Sequence, residues 1–318
     1  MQNGAPKFLT KSPKQDETST DWTQNREIGN MTALRLMSWI ALNLGRPVSR
    51  WILLPTVAYF FISSRQARRA SKQYLSKVEN QNNGVVAVFR HMYTFAAVTL
   101  DRIYFLNQRL DLFDIEVKDS NNIALKTASS GVGIFLMGAH MGSFESVRSI
   151  ARSQPNLKMV LLMYEENARN IKQLLEAINP AAQQDIIALG RPGAMLQVKE
   201  KLSEGALIGV LADRTLEQLG NERVQFLGAE ADFPQGPFRM AAMLHHAVYF
   251  MVGIYHGGCR YTVHLEPIMD FSDNSIDREQ AAQLALKRYV QLVEHYCTIA
   301  PYNWFNFFDF WQEKKYPI

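Results

Sequence analysis

The sequence predicts an α/β protein: a mostly parallel sheet covered by helices on both faces, preceded by an N-terminal helical element lying on a membrane surface. Three observations carry this. Short apolar or β-branched runs alternate with helical stretches of about ten residues in the second two-thirds of the chain, the pattern of successive βαβ units. Residues 31–62 form two apolar runs set among arginines and aromatics. A chain of 318 residues, 47% hydrophobic and 20% charged, has enough apolar content for a full core, which excludes a disordered or fibrous protein.

Taken in order, residues 1–25 are polar and carry Gly4, Pro6 and Pro13, so a disordered tail is expected. No positively charged n-region with an apolar core and a small-residue cleavage site opens the chain, and export by a cleaved signal is not expected. Residues 26–80 read as a basic, apolar anchoring segment. The runs 31–44 (MTALRLMSWIALNL) and 51–62 (WILLPTVAYFFI) are interrupted by Gly45-Arg46-Pro47. Each makes roughly 20 Å of helix, whereas a bilayer core of roughly 30 Å needs about 20 residues. Neither run spans alone, and Arg46, Pro47 and Arg50 oppose a joined span. Over residues 26–77, Arg26, Arg35, Arg46, Arg50, Arg65, Arg68, Arg69, Lys72 and Lys77 face only Glu27. Apolar faces with Trp39, Trp51 and Tyr59 beside such charge suit an interfacial anchor on an anionic membrane surface; core helices with exposed arginines are the competing reading.

Residues 81–318 read as one α/β domain. A helix is expected over 85–108, then strands over 113–117, 132–138, 159–164, 185–189, 206–212, 248–254 and 260–266. Helices are expected over 143–153, 166–178, 193–204, 236–246 and 277–298. The net charge of +4 is too small to imply a nucleic-acid partner. Two cysteines, Cys259 and Cys297, exclude a disulfide scaffold, a cysteine-rich zinc module and a C-x-x-C redox pair, and fit a reducing compartment. P-loop, H-E-x-x-H and G-x-S-x-G patterns are missing from the sequence. His245 and His246 are adjacent on an expected helix and point about 100° apart, so no metal site is expected.

The stretch from Val132 to Arg148, VGIFLMGAHMGSFESVR, carries the most chemistry. A buried strand runs to Gly138, a turn holds His140, Gly142 and Ser143, and a helix begins near Phe144. Ligands of open α/β sheets bind outside the carboxyl ends of strands, which is where His140 falls. Gly142 removes a side chain where a substrate would approach, and the helix start offers N–H groups to a developing negative charge. Glu145, in the first helical turn, is expected to fold back onto Nδ1–H of His140, leaving Nε2 as a base. A histidine beside a glycine is also a common structural device, and the residues alone leave both readings open.

At these residues the chain resembles the glycerolipid acyltransferase superfamily. GAHMGSFES is similar to its H-x4-D/E block, and most similar to the branch of the bacterial lipid A late acyltransferases, with Met141, Ser143 and Phe144 replacing the Phe, Asn and Trp of that branch. Ala212-Asp213-Arg214 resembles the family's Asp-Gln turn. Val224-Gln-Phe226-Leu-Gly228 with Phe233-Pro-Gln-Gly236-Pro237 resembles the block that shapes the acyl and acceptor pocket, and Pro301 to Trp311 resembles the closing Pro–Trp–Trp segment. The Asp213-Arg214 form and the aromatic C-terminus look more like a divergent branch.

The resemblance implies O-acyl transfer from a carrier thioester, acyl carrier protein before coenzyme A, to a hydroxyl of a lipid A-type glycolipid at the cytoplasmic face of the bacterial inner membrane. It implies no cofactor beyond that co-substrate. His140 and Glu145 would be catalytic, with Gly142, Ser143, Asp213, Arg214, Phe226 and Gly228 contacting substrate. Alternatives with the same chemistry are acylation of a lysophospholipid, aminolipid or aryl-polyene-type lipid, or hydrolysis by a thioesterase or lipid hydrolase.

Overall fold

The computed structural model describes residues 31–78, 83–119, 122–154, 157–165, 167–168, 175, 178–179, 186–215, 220–272 and 277–311. The tail expected over 1–25 and most of the helix expected over 166–178 lie outside the described residues. The apolar runs of the sequence pair into one sheet. Its strands are β1 (Asp114–Asp119), β2 (Ile134–Gly138), β3 (Met159–Tyr164), β4 (Ile186–Leu189), β5 (Leu207–Leu211), β8 (Val248–Gly257) and β9 (Arg260–Met269). The order is β1-β9-β8-β2-β5-β3-β4, parallel at every pairing except the β8–β9 hairpin. β2 is buried along its whole length, as an unbroken apolar run at the centre of a parallel sheet should be. β6 (Asn221–Phe226) and β7 (Ala229–Pro234) form a separate antiparallel hairpin that the sequence reading lacked.

Helices cover the sheet, as expected. α1 spans Met31–Ser63, but Gly45, at φ 83° and ψ 170°, breaks it into two. Only glycine adopts that conformation readily, so the break falls where the sequence put it. α2 (Arg65–Lys77) starts on Ser64, whose side chain accepts from the Ala67 amide, and α3 is Val85–Leu106. α4 (Ile123–Ser130) was not expected; α5 is Phe144–Ser153. Helices at Ala194–Ser203, Gly236–Leu244 and Arg278–Ile299 complete the layers.

α1 is joined to the body. Ala41 and Leu53 pack with Ala97, Val98 and Tyr104 of α3 in one buried cluster. Asp101 of α3 is fully buried and receives Arg46 Nε at 2.8 Å, Arg50 Nη2 at 2.7 Å and the Tyr261 hydroxyl at 2.8 Å. Two of the arginines expected to face an anionic leaflet therefore tether α1 to α3. The other face of α1 exposes Leu36, Trp39, Trp51, Tyr59 and Ile62. Among the described residues, no helix is long and apolar enough to cross a membrane.

Candidate active site

Register alone brings two side chains together at the carboxyl edge of the sheet. β2 and β5 are parallel neighbours with Gly138 opposite Leu211, and the Ala212 amide extends the ladder by donating to Gly138 O at 2.9 Å. The residues two positions further on, His140 and Asp213, then lie opposite each other. His140 Nδ1 is 2.7 Å from Asp213 Oδ1, and the His140 amide donates to Oδ2 at 3.0 Å. A carboxylate only accepts, so Nδ1 carries the proton. Nε2 is left as a lone-pair nitrogen, with no hydrogen-bond partner among the described residues, on a side chain that is 28% exposed. Desolvation lowers the His140 pKa from its ordinary 6.5, the Arg214 charge adds to this, and Asp213 opposes it. The imidazole is therefore neutral at pH 7. Burial alone would raise the Asp213 carboxyl, but His140, Arg214 and Asn306 hold it well below the usual carboxylate range.

The C-terminal segment closes round this pair. Oδ2 of Asp213, fully buried, also accepts from Trp304 Nε1 at 3.2 Å and Asn306 Nδ2 at 2.9 Å. Phe305 N donates to His140 O at 2.7 Å, and Gly142 N donates to Asn303 O at 2.8 Å. The side chain of Asn303 in turn bonds both backbone groups of Tyr255 at the end of β8. Asn303 and Asn306 escaped the sequence reading. Their signal was faint: two amides inside a run of otherwise aromatic, core-forming residues.

Three expectations for the motif loop need correction. Glu145 does not reach His140. Ser143 caps α5 by accepting from Ser146 N at 3.1 Å, and this start turns Glu145 towards α3. There its buried carboxylate meets Arg102 Nε at 3.2 Å and Arg148 Nη2 at 2.5 Å. Ser143 is itself buried, its hydroxyl spent on the cap and its amide on Gly253 O at 2.7 Å, so it does not face a substrate. Gly142 lacks a side chain for the sake of the backbone of β8: a Cβ there would lie 2.0 Å from Gly253 O, and its φ is +55°. Gly142→Ala is accordingly expected to lower stability by more than about 2 kcal/mol, through strain and overpacking. Thermal unfolding against wild type checks this, and an unchanged midpoint contradicts it.

The remaining expected contacts divide. Arg214 belongs to the site: Nε donates to Asn306 Oδ1 at 2.7 Å and Nη2 to Phe305 O at 3.1 Å, so its charge stands beside the dyad while pinning the C-terminal segment. Phe226 lines no open slot. It is fully buried, with ring centroids 5.3 Å from Phe233 and from Trp304, and stacked on Trp311 at 5.9 Å. It supports the indole that holds Asp213. Gly228 sits exposed, at φ +74°, in the turn between β6 and β7, with nothing near the place of a Cβ.

Comparison with known proteins gives one family. Residues 76–313 match the model of the bacterial lipid A biosynthesis acyltransferase family. No curated protein matches. Among solved structures, the chain is similar to the 1-acyl-sn-glycerophosphate (LPA) acyltransferase PlsC from Thermotoga maritima, at 13% identity over 83% of this chain and 95% of that one, with a TM-score of 0.37. Because the family match runs through well over half of the chain, and takes in both strand ends and the C-terminal segment that meet at His140, the chain belongs to the bacterial lipid A biosynthesis acyltransferase family and is an acyltransferase.

Proposed function

We propose that the protein moves a fatty acyl group from an acyl carrier protein thioester to a hydroxyl of a lipid A-type glycolipid, with His140 Nε2 as the general base and Asp213 fixing its tautomer. One observation carries this reading: a neutral, partly exposed imidazole whose inner nitrogen is held by a buried carboxylate and whose outer nitrogen is unengaged among the described residues. A thioester is already activated, and its thiolate leaving group has a pKa of about 8.5, so it needs little acid help. The acceptor hydroxyl is the reluctant partner. Nε2 takes its proton as the oxygen attacks the thioester carbonyl, the C–S bond breaks, and the thiolate leaves. Arg214, pinned to Asn306 and Phe305, adds positive charge beside the dyad, which favours negative charge developing there. Glu145 serves through Arg102, whose charge also reaches the imidazole. The reaction is assigned to the cytoplasmic face of the inner membrane. The exposed apolar face of α1 supports this, and the basic residues Arg65 to Lys72 of α2 suit an acidic carrier protein.

The test is transfer of a labelled acyl chain from carrier protein, with lipid vesicles and a glycolipid acceptor. A labelled ester that appears only with acceptor is expected; acceptor-independent release of free acid would establish a thioesterase instead. The pH dependence adds a second check. Only the neutral imidazole accepts a proton, and its pKa lies below the ordinary 6.5. The acid limb of kcat/KM is therefore expected below that pH, with a plateau through neutrality. A limb centred above pH 7 would remove His140 from the role of base.

A further inference from the structure

A basic cavity lies against the C-terminal segment that closes round the dyad. It encloses about 650 Å³ between α1, α3, the end of the β8–β9 hairpin and the segment Pro301–Asn303, within the size range of small-molecule sites. Arg46, Arg50 and Arg90 line it, together with the rings of Tyr255 and Tyr302, and among the described residues no Asp or Glu does. Among the described residues, the one carboxylate in contact with these arginines is Asp101, buried behind Arg46 and Arg50 and satisfied by both. It neutralises one of the three charges. Arg50 keeps a buried Nε with no partner among the described residues. Arg90 is exposed and makes no ion pair among the described residues; its guanidinium lies 4.5 Å from the Tyr302 ring centroid.

Arg46 and Arg50 also donate to the Gly258 carbonyl, and Arg50 to the Tyr255 hydroxyl; with Arg90 they line one hollow with aromatic walls, and such a donor set suits the tetrahedral oxygens of a phosphate better than a single point charge would. The hollow is coupled to the chemistry through Asn303, which lines it and whose carbonyl accepts from Gly142. Gly142 is two residues from His140, a Cα separation of at most roughly 8 Å. Arg90 also stands one helical turn from Val86, which is 80% exposed, so it shares a face of α3 with an apolar surface residue. A phosphate at an interface between lipid and water would meet both.

We propose that this cavity binds the phosphate ester of a substrate and so sets the distance between that phosphate and the reacting group at His140. The inference rests on the acyl-transfer reading only for which substrate bears the phosphate, the sugar phosphate of the acceptor head or the phosphopantetheine arm of the donor.

Equilibrium binding to the full chain tests it without any turnover. Titrations of wild type, Arg90→Glu and Arg90→Lys would use inorganic phosphate, glucosamine 1-phosphate and 4′-phosphopantetheine, with glucosamine and pantetheine as phosphate-free controls. Arg90 is chosen because its exposure allows replacement without stripping Asp101 of its partners. Inorganic phosphate and one of the two esters are expected to bind wild type, to weaken at least tenfold in Arg90→Glu, and to stay within about threefold in Arg90→Lys. The phosphate-free controls should be indifferent to Arg90. The ester that responds identifies the substrate. Equal binding by wild type and Arg90→Glu, or no binding of any phosphate, overturns the proposal. Arg90-dependent phosphate binding in a protein that fails to transfer acyl groups would instead overturn the function and leave the site standing.

Discussion

Replacing Asp213 by asparagine is expected to cost about 10²- to 10⁴-fold in the rate of acyl transfer, as much as removing the base with His140→Ala. The size follows from which oxygen is committed to what. Oδ2 accepts from three donors, the His140 amide, the Trp304 indole and the Asn306 amide, and an amide NH2 cannot take that place. The asparagine must therefore keep its oxygen there and turn its NH2 towards Nδ1 of His140. Nδ1 then accepts, the ring proton moves to Nε2, and the base is lost with the fold and the imidazole both in place. Because the two side chains act as one unit, the double variant should be no slower than either single one. Initial rates of labelled acyl transfer give the comparison, with circular dichroism to establish folding. An Asp213→Asn protein within tenfold of wild type would break the link between this carboxylate and catalysis.

That pairing shows where the sequence was legible and where it was not. His140 was readable because a buried strand, a small-residue turn and a helix start are local features, and the fold class was readable because strand and helix periodicities are local as well. The carboxylate partner was misplaced because it is set by strand order. Glu145 is five residues from His140 in sequence, but a helix that begins with a serine cap carries it round to α3 and its arginines. Asp213 is seventy-three residues away, and the β2–β5 register brings it into contact. Both residues lie second beyond a buried strand, a symmetry visible in the sequence only to a reader who already knows that those strands are neighbours.

The N-terminal segment taught a similar lesson about charge. Counting basic residues along 26–77 treats Arg46 and Arg50 as free surface charge, because Glu27 is the one acidic residue in that stretch. Asp101, two helices later in the chain, neutralises part of that charge inside the protein. The β6–β7 hairpin was missed for a different reason. Its strands alternate half-buried and exposed positions weakly, and β6 places Val224 and Phe226 inward among polar neighbours, a signal that short amphipathic loops share. α4 is only Ile123–Ser130, too short for helical periodicity to stand out.

Acid is expected to unfold this protein through a histidine that takes no part in the chemistry. His91 of α3 is completely buried; Nε2 lies 2.7 Å from the carbonyl of Trp304 and Nδ1 2.8 Å from the hydroxyl of Ser71 in α2. A carbonyl only accepts, so Nε2 donates to it and Nδ1 accepts from the hydroxyl, which fixes a neutral ring. Burial pushes its pKa down to about 4, against the opposing pull of the Trp304 carbonyl. The unfolded chain returns it to the ordinary 6.5. Between those values the unfolded state holds the extra proton, so the stability contributed by the neutral ring is complete above pH 6.5 and is lost progressively as pH falls towards 4, by about 3 kcal/mol at most. The loss reaches the active site, because His91 grips the same tryptophan whose indole holds Asp213. Asp213 cannot imitate the effect: its pKa is depressed from 3.8, so its own contribution is lost only at still lower pH. Urea unfolding at pH 7 and at pH 4.5 should show a steeper fall for wild type than for His91→Gln, which can donate and accept at the same two partners but does not titrate. His140, His256 and His264 also have lowered pKa values and contribute in the same sense to both proteins, so the difference between the curves isolates residue 91. Parallel curves would mean that the buried ring is not what acid attacks.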